Sequence, residues 1–142
     1  MKRRILLLIT TFVMTGLIPL LATGCSDTKE ATSNYQNVTP AEAFELIREN
    51  EGNNSFVILD VRTPAEFDSG HLPGAINIDV ESGHFTDEIA GLYKDNTYLV
   101  YCRSGRRSVD TSEIMVEQGF SAVYNMTSGI NGWKSNGFPV VQ

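Results

Sequence analysis

The sequence predicts an α/β fold of three layers, in which a mostly parallel central sheet is flanked by helices. Short apolar segments rich in β-branched residues alternate along the chain with segments of helical periodicity. The helices begin and end at recognisable capping residues. The chain has 142 residues, 42% of them hydrophobic and 20% charged, which is enough for one core and too little for two domains.

Two helix starts share the pattern Thr-Pro-Ala-Glu, in which threonine is the N-cap, proline the first helical residue and glutamate the partner of a capping box. The first is Thr39–Glu42, and Gly52 follows the end of its helix. The second is Thr63–Glu66, and Gly70 ends a short helix. The capping box alone explains Glu66. Between the two helices, the continuous apolar run 56–59 predicts a buried strand.

The second half of the chain continues the alternation of strands and helices. A short strand, a polar segment with one or two helical turns and a second buried strand come first. A helix closed by Gly119, another strand and a short helix around Trp133 follow. The strands are predicted over 75–78, 97–101 and 122–124, and the helical segments over 87–92, 106–118 and 129–135. In a parallel sheet of this kind, a functional site is expected where the carboxyl ends of strands lead into helices.

The first 25 residues have the organisation of a secretory signal. Residues 2–4 are basic, and residues 5–22 carry no charge. The segment Leu21-Ala-Thr-Gly-Cys25 then resembles the bacterial lipobox, whose cysteine is lipidated, although Ala22 stands where that motif usually has leucine. The pattern therefore predicts a lipoprotein.

These features divide the chain into three parts. We predict a signal peptide over residues 1–24, a lipidated Cys25 with a flexible tether over residues 25–34, and a folded domain over residues 35–142. An uncleaved N-terminal anchor is the alternative. Both interpretations place the domain in the bacterial cell envelope, on the outer side of the cytoplasmic membrane or in the periplasm, attached to a membrane.

The composition excludes some classes of partner. Asp and Glu number 17 against 11 Lys and Arg, which gives a formal net charge of −6. Nucleic-acid binding needs clustered cations, so we expect no nucleic-acid partner. His71 and His84 have no second ligand at metal-binding spacing, and we expect no metal. We expect the protein to be a monomer.

Cys102 stands between a predicted strand and the helix that follows it. A loop at such a place directs backbone N–H groups inward and adds the positive end of the helix. Gly105 permits a positive φ, and Arg103, Arg106 and Arg107 add positive charge. Each effect favours the thiolate over the thiol. We therefore predict a nucleophilic Cys102 with a lowered pKa and an anionic substrate held over the loop.

Three segments, in this order, resemble a single rhodanese domain. They are Asp60-Val-Arg62 with Glu66-Phe67, Gly70-His-Leu-Pro-Gly-Ala-Ile-Asn77, and Cys102-Arg-Ser-Gly-Arg-Arg107. The tail from Gly129 to Val140 is similar to the ending of that family, so the resemblance covers roughly residues 35–141. It implies a sulfurtransferase, whose cysteine takes a sulfane sulfur from a donor such as thiosulfate. The resulting persulfide passes the sulfur to cyanide or a thiol.

The resemblance also implies roles for individual residues. Cys102 is the catalytic residue, and its own persulfide is the intermediate, so no cofactor is expected. The substrate-binding loop that cradles the persulfide is Arg103, Ser104, Gly105, Arg106 and Arg107. Converging N–H dipoles stabilise the outer sulfur anion without a metal. Asp60 and Arg62 match supporting residues near this loop, although an ion pair between them, or capping of the next helix, explains them too.

Two alternatives to an enzyme of sulfur transfer remain open. Tyrosine phosphatases, and phosphatases or arsenate reductases of the rhodanese fold, tend to a Cys-x5-Arg loop. Here the loop from Cys102 to Arg107 is Cys-x4-Arg, with Ser108 at the next position, and the shorter loop fits a sulfur atom better than a phosphate group. The second alternative is a sulfur-carrier module that receives a persulfide from one protein and passes it to another.

Overall fold

The computed structural model describes residues 34–142. Its strands are β1 (Gln36–Val38), β2 (Phe56–Asp60), β3 (Ile76–Asn77), β4 (Thr97–Tyr101) and β5 (Ala122–Met126). Its helices are α1 (Pro40–Glu49), α2 (Pro64–Asp68), α3 (Phe85–Ala90), α4 (Arg106–Glu117) and α5 (Gly129–Ser135). The strands form one parallel sheet in the order β1-β5-β4-β2-β3. The predicted α/β fold with a flanked parallel sheet is confirmed.

The N-terminal features of the sequence lie outside the described residues. These are the predicted signal peptide over 1–24, the predicted lipidation site Cys25 and all of the tether before residue 34. Within residues 34–142, no helix combines the length and the apolar character that a membrane crossing requires.

An apolar cluster covers each face of the sheet. The first cluster includes Phe85 of α3 and Met115 of α4, together with Val100 of β4. The second includes Ala43 of α1 and Trp133 of α5. Helices therefore lie on both faces, as a fully buried parallel sheet requires. The order of the strands places β4 at the centre, flanked by β2 and β5.

The two predicted capping boxes are present. The Thr39 side chain accepts a hydrogen bond from the Glu42 backbone, and the Glu42 carboxylate accepts one from the Thr39 N–H at 2.7 Å. The same reciprocal pair joins Thr63 and Glu66 at the start of α2. Both helices begin at the residues that the sequence predicted because the capping chemistry is local.

Strand β1 was not predicted from the sequence. It has three residues, of which Gln36 and Asn37 are exposed, and it pairs with β5 at the edge of the sheet. The apolar run that identifies a buried strand is absent, so no local signal marks it. It extends the parallel ladder by backbone hydrogen bonding, and the Asn125 amide of β5 donates to the Asn37 side chain at 2.7 Å.

Candidate active site

Cys102 directly follows the carboxyl end of the central strand β4, beside the end of β2. Asp60 of β2 and Tyr101 of β4 are partners in register, so the residues that follow both strands meet at one edge of the sheet. The Cys102 side chain is 1% exposed and belongs to the apolar cluster that α4 covers. The sulfur atom is therefore held inside the loop that leads into α4.

The loop closes over the sulfur through the N-terminal end of α4. Gly105 is the N-cap of this helix, with φ of 98°, and its N–H donates to the Cys102 Sγ at 3.2 Å. A Cβ at Gly105 would lie 2.9 Å from the Ser128 backbone nitrogen. Glycine is therefore required by both conformation and space. The N–H groups of Ser104 and Ser108 also lie around the sulfur, where they favour negative charge.

Hydrogen bonds lower the pKa of Cys102. Burial alone raises the pKa of this thiol. Donors around the sulfur outweigh burial: the hydroxyl and the N–H of Ser108, and the N–H groups of Ser104 and Gly105. The sequence prediction invoked arginine charge as well, but these hydrogen bonds are what lowers the pKa here. The thiolate is therefore stabilised mainly by the backbone of the loop and by one serine hydroxyl.

Arg103, Ser104 and Arg106 lie on the outside of the loop. All three are exposed. Within the described part of the chain, neither arginine lies within ion-pairing distance of a carboxylate. Both charges are therefore available to an approaching anion in a chain whose net charge is negative.

Arg107 joins three segments of the fold. Its guanidinium donates to Glu66 at 3.0 and 2.9 Å and to Glu81 at 2.8 Å. Hydrogen bonding from Arg107 lowers the pKa of Glu66 to about 2, and hydrogen bonding to Glu66 raises the pKa of Arg107. The start of α4 is thereby connected to α2 and to the segment between β3 and α3.

Glu66 has a role that the sequence analysis missed. Its capping box accounts for its position at the start of α2, yet the same carboxylate also binds Arg107. The two residues are separated by 41 positions, and the side chains are 29% and 21% exposed. No local pattern in the sequence indicates a contact over that separation.

Asp60 and Arg62 form a buried ion pair beside the loop. Their side chains are 0% and 4% exposed, and the Arg62 Nη2 lies 2.6 Å from the Asp60 Oδ2. The same nitrogen donates to the Gly70 carbonyl at 2.9 Å, and the Asn77 amide donates to the carbonyls of both residues at 2.9 and 2.8 Å. The pair thus ties the end of β2 to the residues after α2 and to β3, which fits the structural interpretation of these two residues.

The start of α5 supports the loop from the other side. The Ile130 N–H donates to the Cys102 carbonyl at 2.9 Å, and the Asn131 N–H donates to the Arg103 carbonyl at 3.1 Å. Gly129 has φ of 52°, and a Cβ there would lie 2.3 Å from the Cys102 carbonyl oxygen. The sequence analysis assigned no site residue to this segment. The glycine at the start of the predicted helix 129–135 was the available signal.

A groove elsewhere on the surface is not connected with the cysteine. It has a volume of about 740 Å³ and is lined mainly by α1, the segment after it and β2, together with Trp133 of α5 and Pro139. No residue from Cys102 to Ser108 lines it. The groove is therefore separate from the loop that holds the Cys102 sulfur.

Comparisons with known proteins identify the family of the chain. The family profile named "Rhodanese-like domain" matches residues 40–136. The thiosulfate sulfurtransferase GlpE of Actinobacillus pleuropneumoniae serotype 5b is 34% identical over 107 residues, which cover 75% of this chain and 93% of that protein.

Two solved structures are also similar. A rhodanese-related protein from Thermoplasma volcanium has a TM-score of 0.63 and 30% identity, covering 75% of this chain and 98% of that one. A protein of unknown function from Rhodopseudomonas palustris, described as a possible tyrosine phosphatase, has a TM-score of 0.61 and 25% identity. It covers 80% of this chain and 89% of that one.

Proposed function

The chain belongs to the rhodanese-like domain family, and we propose that it is a sulfurtransferase that carries a sulfane sulfur as a persulfide on Cys102. The proposed donor is thiosulfate or another persulfide, and the proposed acceptor is cyanide or a thiol. The observation that carries this proposal is the Cys102 sulfur, buried in a ring of hydrogen-bond donors that lower its pKa. The similarity to a thiosulfate sulfurtransferase supports it.

In the first step, the Cys102 thiolate attacks the sulfane sulfur of the donor. A bond forms between Sγ and that sulfur, the S–S bond of thiosulfate breaks, and sulfite leaves with the electron pair. In the second step, cyanide or a thiolate attacks the outer sulfur, and the electron pair of the broken S–S bond returns to Cys102. The loop N–H groups stabilise the negative charge in each state, and the transfer to cyanide needs no proton.

The hydrogen bonds of Arg107 support sulfur transfer, and not phosphate transfer, as the reaction of this site. A phosphatase arginine must direct its N–H groups at the phosphate group. Here three hydrogen bonds from the Arg107 guanidinium go to Glu66 and Glu81. The proposed function assigns Arg107 to holding the loop in place and leaves Arg103 and Arg106 to attract the anionic donor.

The proposal also includes attachment to a membrane of the cell envelope through a lipid on Cys25. We also propose that the protein is a monomer and that it uses no cofactor besides the covalent persulfide on Cys102.

The mass of the protein tests the proposed function directly. The full-length chain, kept in detergent, is incubated with thiosulfate, and peptide masses locate any added sulfur. We expect one sulfur on the peptide that contains Cys102, and its release as thiocyanate when cyanide is added. A gain of sulfur from a protein persulfide but not from thiosulfate would support the carrier alternative. Absence of a gain from either donor would contradict the proposal.

The arginines of the loop are expected to differ in kinetic effect. Arg103→Ala removes one unpaired surface charge, so we expect KM for thiosulfate to rise about fivefold with little change in kcat. Arg107→Ala releases the start of α4 from Glu66 and Glu81, so kcat is expected to fall by about tenfold or more. Steady-state kinetics of thiocyanate formation measure both.

Arg48→Ala is the matched control for these variants. Arg48 is exposed on α1, away from the loop, and pairs with Glu45. Replacing Arg48 by alanine therefore changes the net charge of the protein by the same amount as Arg103→Ala or Arg107→Ala does. We expect wild-type kinetics for it. A larger loss of kcat in Arg103→Ala than in Arg107→Ala would reverse the assignment of the two residues.

A further inference from the structure

We propose that Ser108 is a further catalytic residue, whose hydroxyl moves its hydrogen bond between the Gly105 carbonyl and the Cys102 sulfur as the charge on the sulfur changes. This inference rests on the proposed function, because it concerns the thiolate that begins and ends each transfer. Ser108 lies one position beyond the loop from Cys102 to Arg107 that the sequence analysis assigned to the site.

The geometry places the Ser108 hydroxyl on the inner side of the loop. Ser108 lies in the first turn of α4 and is fully buried. Its Oγ donates to the Gly105 carbonyl at 3.1 Å, and the N–H of the same Gly105 donates to the Cys102 Sγ. The hydroxyl and the N–H of Ser108 also lie near enough to the sulfur to lower the pKa of Cys102, so the sulfur is a second acceptor within reach of the hydroxyl.

The hydroxyl has one proton and two competing acceptors. A neutral thiol or disulfide-type sulfur is a weak acceptor, so the carbonyl of Gly105 holds the proton while Sγ is uncharged. A thiolate accepts a charge-assisted hydrogen bond, which is about twice as strong as a neutral one. The proton is therefore directed at Sγ when the thiolate forms.

The carbonyl that loses this hydrogen bond keeps another partner. The Val109 N–H also donates to the Gly105 oxygen, at 3.3 Å. Moving the Ser108 hydroxyl to the sulfur therefore leaves no buried carbonyl without a donor, and the usual penalty for an unpaired buried group does not arise. Because of this second hydrogen bond, moving the Ser108 hydroxyl between the two acceptors costs little free energy.

The two transfer steps use this exchange in opposite directions. When the Cys102 thiolate bonds to the sulfane sulfur, Sγ loses its charge and the hydroxyl returns to the Gly105 carbonyl. When the acceptor removes the outer sulfur, the Sγ of Cys102 becomes a thiolate again, and the Ser108 hydroxyl stabilises it by donating a hydrogen bond. Ser108 thus lowers the energy of the leaving group in the second step as well as that of the nucleophile in the first.

The test is Ser108→Ala in the full-length chain, with Ser112→Ala as the matched control. Ser112 lies one turn further along α4, is equally buried, and donates to the Ser108 carbonyl at 2.7 Å. The first measurement is the pH dependence of Cys102 alkylation by iodoacetamide, followed on the peptide 95–103 so that Cys25 does not contribute. The second is the rate at which cyanide discharges the preloaded persulfide.

We expect Ser108→Ala to slow alkylation at pH 7 about tenfold, to move its pH profile to higher pH, and to slow discharge by a similar factor. Ser112→Ala and Ser108→Thr, which keep a hydroxyl at position 108, are expected to retain the wild-type profile. A wild-type profile in Ser108→Ala, or an alanine-like profile in a folded Ser108→Thr, would overturn the role of the hydroxyl.

The alkylation experiment does not depend on sulfur transfer. Failure of the wild-type protein to accept sulfur from any donor would contradict the proposed function while leaving the alkylation profile to decide the role of Ser108. Alanine is a good helix former, and the Gly105 carbonyl keeps the Val109 N–H, so Ser108→Ala is expected to fold. Circular dichroism checks this for each variant.

Discussion

Replacing Cys102 by serine is expected to abolish persulfide formation and to reduce thiocyanate production by about a thousandfold or more. A serine hydroxyl does not ionise near neutral pH, and the N–H donors of the loop cannot supply the nucleophile that it lacks. Serine has nearly the shape of cysteine, and the site already surrounds the sulfur with donors. The variant is therefore expected to fold, so the loss of activity reports on chemistry alone.

Cys25→Ser is the matched control, because it changes the other cysteine of the chain. It is expected to accept one sulfur from thiosulfate as the wild-type protein does. Peptide masses and thiocyanate release measure both variants, and thermal unfolding shows whether Cys102→Ser is folded. Turnover above the uncatalysed rate in a folded Cys102→Ser would mean that another residue is the nucleophile.

Gly129→Ala is expected to have the largest effect on stability and to inactivate the site as well. The new Cβ would lie 2.3 Å from the Cys102 carbonyl oxygen and 2.7 Å from the carbonyl of Arg103. Relieving these contacts moves the start of α5 away and breaks the hydrogen bonds from Ile130 and Asn131. Together with the positive φ, this is expected to lower the free energy of unfolding by about 3 kcal/mol or more.

Gly137→Ala separates the effect of the positive φ from that of the collision. Gly137 has φ of 75°, but a Cβ there meets no atom within 4 Å. We expect a loss of about 1 kcal/mol and normal sulfur transfer. Urea unfolding measures the stability of both variants, and the alkylation rate of Cys102 reports the state of the loop. Equal losses in the two variants would show that the packing of α5 on the loop is unimportant.

Much of the fold could be predicted because its signals are local. The apolar runs identified β2 and β4, and the two Thr-Pro-Ala-Glu patterns placed the starts of α1 and α2. Strand β1 was missed because its polar residues carry no period or apolar run, and it exists by pairing with β5. Pairing at a sheet edge is a property of the assembled fold and leaves little trace in three residues.

The candidate site shows the same division between local and distant information. The loop from Cys102 to Arg107 could be interpreted from its own residues, since the turn, the glycine and the helix start are adjacent. The contact of Arg107 with Glu66 and the contact of Gly129 with the loop join residues that are far apart in sequence. The sequence also suggested arginine charge as a cause of the lowered pKa, whereas hydrogen-bond donors lower it against the opposing effect of burial.

The hydrogen bonds from α5 to the loop carbonyls connect the reactivity of the thiol with local unfolding. If the C-terminal segment opens, Cys102 and Arg103 lose the N–H partners of their carbonyls, and the loop can relax away from the sulfur. The thiol then returns toward the ordinary pKa of cysteine, near 8.5, at the moment it becomes accessible. In a partly unfolded or newly synthesised chain, a smaller fraction of the Cys102 thiol is therefore ionised at neutral pH, so its reactivity depends on the native packing of α5 against the loop.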